Sequence, residues 1–217
     1  GIPVFSNRLL PAARLGINGL EHIGGRAVQP LGLERSLLGR SYQDVTAMLT
    51  TTMTAVSPTL SAFGGFARLA ATDTVWADAM EASLFEQYER DAWLASDDGD
   101  ERLVSLQRTV ADLVRAGSRV TAGSDAPTTP YGLGLHAELK LMTEAGLAND
   151  QVLRLATANA ALALGLEREL GTIEPGKLAD FVILSGDPLM RIEDTLRIEA
   201  TVLGGEWLTR DSLMSTP

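Results

Sequence analysis

The side chains able to do chemistry are few and placed in a pattern. The sequence has two histidines, His22 and His136, and no cysteine. Disulfides and thiolate metal sites are therefore excluded, and any metal or acid–base centre must draw on imidazole and carboxylate. Asp125 stands out by position. It closes "VTAGSD", an apolar run that climbs through Gly123 and Ser124 and then breaks at Pro127 and Pro130. A carboxylate at the end of a strand is either a turn-former bonded to nearby backbone amides, or a metal ligand and general base. His22 follows Glu21 at the end of a second short strand, in "INGLEHIGG". There an imidazole either makes a structural hydrogen bond or ligates a metal. Imidazole plus carboxylate suits zinc or another divalent transition ion. His136, in "GLHAEL" just beyond the Asp125 loop, can face substrate or bond the backbone near a helix start.

Other motifs carry less. The acidic run "DDGDE" at 97–101 lacks the alternating spacing and terminal Glu of a calcium loop and reads as a solvated loop. Ser6, Ser57 and Ser124 lack the elbow pattern of a nucleophilic serine. "YGLGLH" has neither the third glycine nor the preceding strand of a dinucleotide fingerprint.

Short β-rich runs and amphipathic helices alternate along residues 1–125. "GIPVFSN" reads as a strand, "LLPAARLG" as a short helix and "INGLEHIGG" as the next strand. "YQDVTAMLTTTM" puts Tyr42, Val45, Leu49 and Met53 on one helical face, and "TAVSPTLSAF" reads as a third strand. One long helix is expected over 72–94, capped by Thr72 or Asp73, with Trp76, Met80, Leu84 and Tyr88 on one stripe. "ERLVSLQRTVADLVRAG" is a further helix, stopped at Gly117 before the fourth strand, "SRVTAGSD". Such alternation predicts parallel strands with crossover helices. Asn7, His22, Ser57 to Thr59 and Asp125 then lie at the C-terminal strand ends, where α/β folds gather functional groups. Beyond Pro130 two helices are expected, the second capped by Asn149 or Asp150. A small β unit follows, with a type II turn at Glu174-Pro175-Gly176-Lys177 and a hairpin at Gly204-Gly205.

Composition bounds the partners. The 217 residues are 45% hydrophobic and 21% charged, with net charge −10. A core is affordable, and the acidic balance disfavours nucleic acid. No apolar run approaches the ~20 residues of a membrane span. The compartment stays open between cytoplasmic and secreted. Because the chain begins at Gly1 rather than Met, a longer polypeptide is expected.

"AGSDAP", "LHAELKLMTEAGL", "VLRLATANAALALGL", "GTIEPGKLADFVIL" and "GDPL" together resemble the C-terminal half of a metal-dependent amidohydrolase of the imidazolonepropionase-like and prolidase-like branch. The resemblance is dense from about residue 119 to 208, and "ARLGINGLEHIGG" is similar to the segment that ends barrel strand six. It implies an α/β fold: a partial (β/α)8 TIM-like barrel, strands five to eight, over residues 1–170. Residues 171–217 would form part of a small composite β-sandwich at the C-terminus. It also implies a divalent metal, zinc foremost, as one or two ions. Asp125 matches the strand-eight ligand and proton shuttle, and His22 the strand-six ligand. The strand-five position falls in "PVFSNR", where Asn7 holds the place of a histidine ligand. Arg8 and His136 are the candidate substrate contacts.

The family's His-x-His pair of strand one and the bridging residue of strand four are absent from this sequence. The expected function is metal-dependent hydrolysis of C–N bonds in a small amide, cyclic amide or dipeptide-like substrate, by a fragment or one chain of the full enzyme. A missing N-terminal half, another chain carrying it, or a homo-oligomer would cover the open sheet edges. The alternative is a non-catalytic protein or subunit of the same fold with a decayed metal site, which Asn7 favours.

Overall fold

A computed structural model describes residues 5–6, 16–23, 43–81, 86–94, 100–209 and 211–212. Three short strands, β1 (Phe5–Ser6), β2 (Gly19–Glu21) and β3 (Ala55–Ser57), form a sheet in the order β1-β2-β3. Both pairings are parallel, with Leu20 opposite Val56 and Glu21 opposite Ser57. A fourth segment extends the sheet beyond β3. Val120 bridges Val56 in parallel, the Val56 amide donates to the Arg119 carbonyl, and the Thr121 amide donates to the Val56 carbonyl. The expected fourth strand is thus a single bridge, and its chain then leaves the ladder toward Asp125.

Helix α1 (Gln43–Thr52) precedes β3. Strand β3 ends at Pro58, where the expected longer run gives way to a 3-10 turn, Leu60–Ala62. Pro58 has no amide hydrogen for the ladder. Residues 65–72 form an additional helix, α2 (Gly65–Thr72). The single long helix expected over 72–94 is instead α3 (Thr74–Glu81) and α4 (Gln87–Leu94), with residues 82–85 outside the description. Asp73 caps α3 as expected, its Oδ1 accepting the Val75 amide at 2.9 Å, and Trp76 and Met80 are buried. Helix α5 (Asp100–Arg115) buries Leu103, Leu106, Val110 and Leu113. It stops at Gly117, where φ is +80° and the Ser118 amide returns to the Leu113 carbonyl.

After the Asp125 loop comes α6 (Leu133–Glu144), which buries Ala137, Leu139, Leu141 and Met142. The next helical stretch is broken at Thr157 (φ −123°, ψ −86°) into α7 (Asn149–Ala156) and α8 (Ala158–Leu164). Neither Asn149 nor Asp150 caps α7, because each side chain has other work. Asn149 Nδ2 donates to the Leu189 carbonyl, Asp150 faces Arg154, and Gln151 Oε1 accepts the Ala148 amide. Strands β2 and β3 and the helices around them share one apolar core, running from Leu20 and Val56 to Leu141 and Val152.

The C-terminal unit is a second three-stranded sheet, antiparallel, in the order β4-β5-β6 (Phe181–Leu184, Ile198–Leu203, Glu206–Thr209). Gly204 and Gly205 turn the hairpin with φ of +58° and +84°, the left-handed pair a type I′ turn demands. At the expected type II turn, Gly176 has φ +92° and the Lys177 amide donates to the Glu174 carbonyl. Lys140 on α6 bonds Glu193 in the 3-10 turn Ile192–Leu196, which ties that helix to the second sheet. Among the described residues no helix is long and apolar enough to cross a membrane.

Candidate metal and catalytic site

Two of the expected site residues meet. His22 leaves the end of β2, and its amide still donates to the Ser57 carbonyl at 2.8 Å. Asp125 ends the fourth segment. His22 Nε2 lies 3.8 Å from Asp125 Oδ1, and the two side chains are 27% and 35% exposed, open enough to meet a solute. Thr59, at the end of β3, completes the group. Its Oγ1 is 2.8 Å from His22 Nδ1 and donates its own hydrogen to the Pro58 carbonyl at 2.7 Å.

The second bond assigns the roles in the first. A hydroxyl has one hydrogen, and this one is committed to Pro58, so Thr59 Oγ1 accepts from His22 Nδ1–H. A neutral imidazole protonated at Nδ1 carries its lone pair on Nε2. The lone pair therefore sits on the nitrogen nearer Asp125, the arrangement by which a backing hydrogen bond orients a metal-ligating histidine. Phe63 meets the ring edge-on at 6.2 Å and 83°, fixing its plane.

The backbone is unusual at all three strand ends. His22, Thr59 and Asp125 have φ of +67°, +56° and +56°. Left-handed conformations are costly for residues other than glycine, most of all for β-branched threonine, and cluster where function constrains the chain. Each one turns the chain sharply off its strand, so that the three side chains converge at one end of the sheet. The peptide bond from Ala126 to Pro127 is cis.

Asp125 is not spent on its own turn. Its carbonyl accepts the Thr128 amide at 2.8 Å, while its carboxylate takes no backbone hydrogen bond among the described contacts. The loop is held instead through Ser124, whose carbonyl accepts the Thr129 hydroxyl at 2.6 Å. Gly123 lets the loop run close to β3, since a Cβ there would stand 2.2 Å from Ser57 Oγ but 3.6 Å from Ser57 Cβ. We expect Gly123→Ala to lower stability by ~1–3 kcal/mol through overpacking. Gly123→Ala/Ser57→Ala should recover most of that in urea unfolding, because only the hydroxyl clashes.

The remaining candidates lie elsewhere. His136 Nδ1 bonds Thr195 Oγ1 at 2.9 Å, burial lowers its pKa, and no described contact joins it to His22 or Asp125. Asn7 and Arg8 fall outside the described residues. Among the described residues no group of three or more His, Cys, Asp and Glu side chains converges on one point. Two donors do fit a divalent ion. Zinc–nitrogen and zinc–oxygen bonds of ~2.0–2.2 Å at a tetrahedral angle put their donors ~3.3 Å apart. The observed 3.8 Å is within a small side-chain rotation of that spacing. His22 and Asp125 can therefore supply two positions of a coordination sphere. Thr59, which backs His22, went unread as a partner because residues 37 apart in sequence give no local signal of contact.

Comparisons with known proteins bear on the family and the fold. The sequence pattern of the amidohydrolase family matches residues 42–208, and the chain belongs to that family. It is 35% identical over 92 residues to a 5-methylthioadenosine/S-adenosylhomocysteine deaminase of Moorella thermoacetica, covering 38% of this chain and 22% of that protein. It is 41% identical over 76 residues to an imidazolonepropionase of Symbiobacterium thermophilum, covering 34% and 18%. Among solved structures it superposes on a molinate hydrolase with TM-score 0.68 at 19% identity, covering 100% of this chain and 44% of that one. A Xaa-Pro dipeptidase gives 0.64 at 21% identity, covering 93% and 42%. The fold is thus the α/β fold of the amidohydrolases, and the chain spans less than half the length of these structures.

Proposed function

We propose that this chain is the C-terminal part of a metal-dependent hydrolase that cleaves C–N bonds in a small amide, cyclic amide or dipeptide-like substrate. One observation carries the reading: His22 Nε2 and Asp125 Oδ1 stand 3.8 Å apart, with the imidazole backed at Nδ1 and the carboxylate free of its own turn. A bound divalent metal, zinc foremost, would polarise the scissile carbonyl and make water acidic enough to react near neutrality. His22 would give that ion its Nε2 lone pair. Asp125 would hold it through one oxygen, take the proton of the attacking water, and pass it to the leaving nitrogen. Asn7 is the candidate for a further ligand, and Arg8 for a substrate contact. His136, bonded to Thr195, serves the seam between α6 and the second sheet before it serves substrate.

On this reading β1 to β3 and the Val120 segment are strands five to eight of a barrel. Sheet β4-β5-β6 is then one layer of a composite β-sandwich. Its outer face supports this, since Val182 and Leu203 are 50% and 59% exposed, apolar side chains that a second layer would cover.

Elemental analysis of the purified chain tests the metal centre. Near-stoichiometric zinc or another transition metal is expected, and it should be lost in Asp125→Gly. Glycine is the useful control because it accepts the φ of +56° at that position without strain. Metal absent from both chains after incubation with excess zinc, or retained equally by both, would refute the assignment.

A further inference from the structure

Among the described residues Glu138 is the one carboxyl that is wholly enclosed. It sits mid-way along α6 at 0% exposure, among buried Ala137, Leu139, Leu141 and Met142. Its Oε2 accepts the Ser61 amide at 2.8 Å, and its Oε1 has no hydrogen-bond partner among the described residues. Burying a carboxyl half-satisfied costs at least ~1–3 kcal/mol. Helix packing alone does not call for it, because leucine or methionine would fill the same volume more cheaply.

What the carboxyl touches explains the cost. The segment 59–61 has no regular ladder to hold it. It begins at Thr59 in the left-handed region and continues into the 3-10 turn Leu60–Ala62. Its first residue bonds His22 Nδ1 at 2.8 Å. Its third donates a hydroxyl toward the Ser124 carbonyl at 3.5 Å, one residue before Asp125. One turn thus reaches His22 directly and the residue before Asp125, and the Glu138 bond to the Ser61 amide anchors that turn to the core.

We propose that Glu138 is a positioning residue: by fixing the 59–61 turn it sets Thr59 Oγ1 under His22 and so holds the imidazole in the Nδ1–H tautomer, with Nε2 toward Asp125. The proposal rests on the reading of His22 and Asp125 as a site. Its test needs neither metal nor turnover, so the two can fail separately.

The measurement is the tautomer of His22, read from long-range 1H–15N correlations of the imidazoles in the metal-free full chain at alkaline pH. With two histidines in the sequence, assignment is simple, and His136, bonded to Thr195, reports whether the fold around α6 persists. The wild type should show His22 chiefly as Nδ1–H. Thr59→Val, equally β-branched but without the hydroxyl, should turn it chiefly to Nε2–H, the form a histidine side chain favours in water. Glu138→Met should shift it the same way while His136 stays unchanged, and Glu138→Gln, whose amide oxygen still accepts from Ser61, should restore the wild-type signal. An unchanged His22 tautomer in a folded Glu138→Met chain overturns the proposal. So does an unchanged tautomer in Thr59→Val, which tests the last link whatever the fate of the methionine variant.

Discussion

Asp125→Asn is expected to lower C–N bond hydrolysis by ~10²–10⁴-fold, the usual worth of a general base, while leaving the fold as it is. The argument is local. The carboxylate takes no backbone hydrogen bond from its own turn among the described contacts. The backbone bond that closes the turn, from the Thr128 amide to the Asp125 carbonyl, survives the change. Asparagine also tolerates the left-handed φ of +56° about as well as aspartate. Nothing structural is removed, so urea unfolding should shift by no more than ~0.5 kcal/mol. The loss should fall on kcat, because a base acts in the transition state rather than on bound substrate. Turnover within threefold of wild type would remove Asp125 from the chemistry. A large loss of stability would instead make it the turn-former that a strand-end aspartate can also be.

The parts of the molecule that were legible in the sequence are those written in local chemistry. Gly204-Gly205 and Glu174-Pro175-Gly176-Lys177 specify their turns because only glycine takes those φ values cheaply. Leu103, Leu106, Val110 and Leu113 announce a buried helical stripe by spacing alone. Asp125 and His22 were readable as strand-end chemistry because a carboxylate and one of only two histidines fell at the ends of apolar runs. What escaped is tertiary. No propensity marks threonine for a left-handed turn, and the mild preference of histidine and aspartate for it says nothing of which strand ends meet, so the convergence of His22, Thr59 and Asp125 had no local sign. The break at Thr157 interrupts a run of good helix formers, and the Ala122 amide, which bonds the Leu155 carbonyl, shows the neighbouring chain competing for that helix end. Glu138 did leave a trace. It lies three and four residues before Leu141 and Met142, on the buried stripe of its helix, a carboxylate where the pattern asks for an apolar side chain.

That misplaced carboxylate gives the second large effect. Burial pushes the Glu138 carboxyl up to about 7, against the pull of the Ser61, Leu60 and Thr59 amides. In the unfolded chain it titrates near the ordinary glutamate value of 4.5. Between those two values the folded state binds more protons than the unfolded state, so stability falls as pH rises. The favourable contribution is fully present below 4.5 and gone once pH has passed about 7, a swing of ~3 kcal/mol at 1.36 kcal/mol per pK unit. Two other groups titrate nearby. His136, its pKa lowered by burial, acts in the opposite sense, costing stability as pH falls through 6.5 and below. For Glu193, burial raises the pKa, but the Lys140 hydrogen bond, the backbone bond at Glu193 and the charges of Lys140 and Arg191 together outweigh it and the net shift is downward, so its contribution is lost only in acid. Both persist in Glu138→Gln, and the difference between the two chains isolates Glu138. Urea unfolding at a series of pH values should show the wild type losing ~3 kcal/mol relative to Glu138→Gln between pH 4.5 and 8. Parallel curves would mean that Glu138 stays ionised in the core, with the Ser61 amide and its neighbours enough to hold the charge.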